Sequence, residues 1–65
     1  MDSEEIRERI RGPGFRPFRL QLSDGRSFEV PHPEFIAATS WVVAVLSETG
    51  PSEVIDMARV VSLEN

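Results

Sequence analysis

The run Trp41-Val42-Val43-Ala44-Val45-Leu46 places six apolar residues in a row between two clusters of turn formers, Thr39-Ser40 and Ser47-Glu48-Thr49-Gly50-Pro51. It is far shorter than the roughly 20 residues a membrane helix requires, and its β-branched content and flanks read as a strand over 41–46. Strand side chains alternate between two faces, so a wholly apolar strand in an antiparallel sheet has no face suited to water. One face belongs to the core; the other needs a cover, either a helix or a second subunit. An uncovered edge on such a strand is an aggregation hazard, because the window Val42 to Leu46 has neither charge nor proline.

Chain length sharpens this demand. A domain of 65 residues buries only about 60% of the surface its unfolded chain exposes, so its stability margin is thin. Disulfides or a structural metal commonly compensate, but the sequence has no Cys and one His. Self-association is the remaining route, and a homo-oligomer is expected. No apolar stretch is long enough to span a bilayer, and Met1-Asp2-Ser3-Glu4-Glu5 is the reverse of a basic targeting segment. The expected location is the cytoplasm, without membrane association.

The first elements carry clear punctuation. Asp2 or Ser3 can cap a helix running from 3 to about 11, and Asp2 with Glu5 has the spacing of a capping-box variant. Ile6 and Ile10 form one narrow apolar stripe, Glu5 and Arg9 are spaced to pair, and acids lead while arginines trail. Two isoleucines do not stabilise a lone short helix, so it must dock. Gly12-Pro13-Gly14 ends it, with glycine available for a left-handed cap.

Two alternating segments, 18–22 and 27–30, then predict a hairpin. A two-residue loop at Asp24-Gly25 would oppose Leu20 with Glu29. A three-residue loop, Ser23-Asp24-Gly25 with Gly25 left-handed, opposes Leu20 with Phe28 and Phe18 with Val30, keeping one face apolar. That register is expected. Pro31-His32-Pro33 lacks two ladder donors and bends the strand, which resumes from Phe35 to Ala38, so strand two spans 27–38 with a bend at 31–33. Strands at 53–56 and 60–63 follow, joined by a single 3₁₀ turn at Met57-Ala58-Arg59.

This order gives the expected fold class: α+β, mostly β, one domain over 1–65, an N-terminal helix followed by a five-stranded antiparallel small barrel. It resembles the Sm-like barrels, helix-led relatives of the SH3-like barrels, and Val54-Ile55-Asp56-Met57-Ala58-Arg59-Val60-Val61 resembles the strand, turn and strand that close them. In the bacterial RNA-chaperone branch that turn carries a Lys-His pair contacting RNA. Asp56 and Met57 stand in those places here, which counts against RNA binding at that site. Separately, Pro17-Phe18-Arg19, Asp24-Gly25-Arg26 and Val30-Pro31-His32-Pro33-Glu34-Phe35 resemble a family of small uncharacterised bacterial proteins, a resemblance that implies a stand-alone bacterial protein and no particular chemistry.

No residue pattern points to catalysis. His32 lacks the companion ligands that zinc requires and a nucleophile to activate, and the carboxylates are scattered over polar faces. Gly12-Pro13-Gly14 follows a helix and lacks the downstream elements of a phosphate loop. A non-enzymatic domain without cofactor or metal is expected. Charge is distributed unevenly: six of the seven arginines lie between Arg7 and Arg26 with only Glu8 and Asp24 among them, whereas from Pro31 onward Arg59 faces five acids. The net charge of −4 argues against general nucleic-acid binding. Phe15-Arg16-Pro17-Phe18-Arg19 nevertheless interleaves aromatics and arginines as base-stacking surfaces do. The same string suits plain structure, with Phe15 over the helix stripe and Arg16 and Arg19 paired to Glu4, Glu5, Glu8 or Glu29. The candidate interaction surface is Phe15, Arg16, Arg19, Arg26 and Trp41. Trp41 is expected first as a core residue and second as an interface anchor. A protein partner or a second copy ranks ahead of RNA.

Overall fold

Asp2 opens the helix as read from the sequence: its carboxylate accepts from the Glu4 amide at 3.1 Å, and α1 runs Ser3–Ile10. Arg11 is the C-cap and Gly12 follows it with φ +76, a conformation that lacks a Cβ penalty only for glycine. The expected Glu5–Arg9 pair is not made. Arg7 pairs with Glu4 instead, while Arg9 lies over the Phe18 ring and reaches across to the carbonyl of Leu63 and the side chain of Asn65. A long guanidinium stem laid along an aromatic ring covers apolar surface while keeping its donors satisfied.

The structure, a computed structural model, describes all 65 residues. The strands are β1 Phe18–Leu22, β2 Ser27–Val30, β3 Ile36–Ala38, β4 Val42–Val45, β5 Glu53–Asp56 and β6 Val60–Glu64. They form two three-stranded antiparallel sheets, ordered β2-β1-β6 and β3-β4-β5. The hairpin adopts the register that apolar alternation demanded, Phe18 opposite Val30 and Leu20 opposite Phe28. Leu22 and Arg26 close its three-residue loop through a 2.8 Å bond, and Gly25 sits at φ +92.

The expected count of five strands in a closed barrel is corrected to six strands in two open sheets. Pro33–Phe35 forms a 3₁₀ turn rather than a bend, so the single long strand expected over 27–38 becomes β2 and β3. Proline supplies no ladder donor, and Pro at the first turn of a helix is well tolerated, which makes this the cheaper local geometry. The second passage between sheets is the 3₁₀ turn Met57–Arg59, where the Asp56 carboxylate accepts from the Ala58 amide at 3.0 Å.

Both sheets and the helix contribute to one core. Phe18, Leu20, Leu22 and Val30 come from the first sheet with Val60; Ile36, Val43, Val45 and Ile55 come from the second; Ile6 and Met57 complete it. Ile6 is wholly buried, and it accounts for the docking of a helix only eight residues long. Val61 is the extra residue where the β1–β6 register shifts, and it points to solvent. No helix is long and apolar enough to cross a membrane.

Candidate functional site

The second apolar face of β4 remains uncovered. Val43 and Val45 face the core, whereas Val42 is 37% exposed and Leu46, just past the strand, 47%. Ala44 pairs on one side with Ala37 and on the other with Val54, which is 70% exposed, so a small apolar row crosses the outside of the sheet. The helix packs against β3 and feeds Ile6 to the core, so it does not supply the missing cover.

Trp41 is exposed and does not belong to the core. Strand β4 begins at Val42, and Trp41 sits in the preceding bend with 78% exposure. Thr39 causes the shift: its hydroxyl oxygen accepts from the amides of both Trp41 and Val42, at 3.2 and 3.1 Å, and takes Trp41 out of strand alternation. The Trp41 carbonyl is held in turn by the Met57 amide at 2.8 Å. The backbone is thus anchored while the indole projects into water.

The remaining members of the expected surface divide by partner. Arg19 pairs with Glu29 across the β1–β2 ladder at 3.0 Å, and Arg26 pairs with Asp24 at 2.8 Å while lying over the Phe28 ring. Asp24 accepts from the backbone amide of Arg26 and from its side chain, which together hold its carboxyl below the usual carboxylate range. Phe15 is half-buried in edge contact with Phe18. Arg16 is exposed and forms no ion pair or hydrogen bond, as is Arg11. Arg9, Arg11 and Arg16 share a shallow cleft of about 300 Å³ with Glu8, Pro13 and Phe15. The structure therefore keeps Phe15 and Arg16 together, commits Arg19 and Arg26 to intramolecular pairs, and sets Trp41 apart from them in the bend before β4.

A larger cleft, about 500 Å³, lies between β2 and the loop after β4. Phe28, Phe35, Leu46 and Pro51 give it an apolar lining, and Glu48 and Glu53 stand at it without ion-pair partners. Sequence reasoning missed this cleft and Val54. Strand β5 reads Glu-Val-Ile-Asp, where either adjacent β-branched residue could face inward, and only the pairing of Ile55 with buried Val43 decides it. His32 is exposed and stacks on Phe35 at 5.6 Å between ring centres. No group of three or more His, Cys, Asp or Glu side chains is placed to hold a metal ion.

Comparison of the chain with protein-family models, with curated proteins and with solved structures found no match.

Proposed function

We propose that this protein is a binding domain rather than an enzyme, and that it associates with a second copy through the outer face of the β3-β4-β5 sheet. The observation that carries the reading is the exposure of Val42, Leu46 and Val54 about the Ala37–Ala44–Val54 row, with Trp41 78% exposed immediately before β4. Tryptophan is the residue type that most often dominates interface energy, and its side chain alone can bury on the order of 200 Å². A symmetric dimer needs only one self-complementary patch. Eleven buried apolar side chains make a small core, and removing this face from water adds to it.

The two sheets are also consistent with an incompletely closed relative of the SH3/Sm-like small barrels. In support, only Pro31–Phe35 separates β2 from β3, and β6 returns beside β1 after a one-turn connection. Under that kinship an RNA-binding reading draws support from Arg16 alone of the aromatic-arginine string, since Arg19 is neutralised by Glu29.

Light scattering on the chromatographed protein, with absorbance recorded at nucleic-acid and protein wavelengths, tests both readings. The expected result is a concentration-dependent mass free of nucleic acid, reduced to the monomer by Trp41→Ser together with Val54→Thr. A monomer at every concentration overturns self-association. Co-eluting RNA that is released by salt favours the barrel-type RNA reading.

A further inference from the structure

We propose that the cleft between β2 and the Leu46–Pro51 loop takes the Arg11–Arg16 loop of a second copy of this chain. This contact goes beyond the sheet-face association and uses none of its residues except Leu46, so the two fail separately.

Charge complementarity carries the assignment. Three ion pairs form within the chain, Arg7–Glu4, Arg19–Glu29 and Arg26–Asp24, and none of them involves Arg11 or Arg16 or the single acid beside them, Glu8. Arg11 and Arg16 are left exposed and unpaired at one place, with Glu48 and Glu53 unpaired at another. The basic loop and the acidic cleft share no lining residue, so one molecule can present both at once.

Shape agrees with charge. The loop presents Pro13 at an exposed tip between the two arginines, and Gly12 holds the backbone in a conformation other residues rarely adopt. A small apolar ring flanked by two guanidinium groups matches an apolar lining of Phe28, Phe35, Leu46 and Pro51 bordered by the two unpaired carboxylates and by Glu29, which Arg19 already holds. Proline also limits the freedom the loop loses on docking. Loop and cleft are different patches, so two copies can exchange loops reciprocally about a two-fold axis, or each copy can donate its loop head-to-tail, which builds a ring or an open chain.

The test is a reciprocal charge swap read by sedimentation velocity at low and raised salt. One variant carries Arg11→Glu and Arg16→Glu; the other carries Glu48→Arg and Glu53→Arg. Each alone is expected to weaken association on the order of tenfold or more, since like charges then face one another. An equimolar mixture is expected to regain association, because each reversed loop meets a reversed cleft. If either variant associates like the parent, or the mixture is no stronger than its components, the proposal is overturned. Circular dichroism confirms folding, and Glu48→Gln with Glu53→Gln replaces the reversal if that variant unfolds, with loss of salt dependence as its expected signature. A parent that associates, charge variants that are unaffected and a dissociated Trp41→Ser overturn this contact alone. A parent that stays monomeric overturns both contacts.

Discussion

At Asp24 a single carboxylate closes the β1–β2 turn by accepting from the Arg26 amide at 3.0 Å and from its guanidinium at 2.8 Å. The backbone bond is the larger cause of its lowered pKa and the side-chain bond the second. A carboxyl with a depressed folded-state pKa contributes stability that is present above its unfolded value and lost as pH falls through the folded one. The carboxyl carbon of Asp24, followed by NMR in acid, is therefore expected to titrate below the same residue in the urea-unfolded chain. In Arg26→Gln the shift shrinks without vanishing, because the amide remains. A complete return to the unfolded value would make the guanidinium the sole cause. The turn itself was legible in the sequence, because only a three-residue loop kept Leu20 and Phe28 on one face. Trp41 was not. With both faces of the run apolar, alternation did not say which way Trp41 faces and a core role was the first expectation, but two bonds to the Thr39 hydroxyl start the strand one residue later. A cap at one residue outweighed the pattern of six.

Among the elements, α1 shows how little local propensity contributes to a short helix. Eight residues with a good N-cap do not hold a helix in water, so the helix exists by virtue of Ile6 reaching the shared core. Ile6→Ala is expected to cost about 2–5 kcal/mol, as other large-to-small core changes do. A domain of this size has roughly 3–10 kcal/mol in total. Urea denaturation followed by helix and strand signals should show one transition, shifted far toward low denaturant. Separate transitions, with the strands intact after the helix melts, would mean that α1 is an appendage. The bounds of β1, β5 and the connecting 3₁₀ turn agree with those read from alternation and from the break after Asp56. The split of the second strand was not legible, since two prolines mark an interruption of the ladder without saying whether the chain bends or makes a helical turn.

For the whole molecule, the demand that β4 made on its surroundings was legible, and the answer was not. Six apolar residues in a row required a cover for two faces, and the helix was a candidate for the second. With Ile6 and half-buried Ile10 as its only apolar stripe, the helix has one face to give, and the core takes it. The outer face is left to water or to another copy, and the sequence holds a built-in reporter in its single tryptophan. An indole that is 78% exposed should be freely reached by a neutral quencher such as acrylamide in dilute solution. If the sheet face is the interface, quenching of Trp41 should fall as concentration rises through the association range, and its emission should move to the blue as water leaves the ring. Association through the Arg11–Arg16 loop alone would leave Trp41 accessible at every concentration. The dependence of quenching on concentration therefore separates the two contacts without any substitution, and a mass that rises while quenching stays constant would remove the sheet face from the interface.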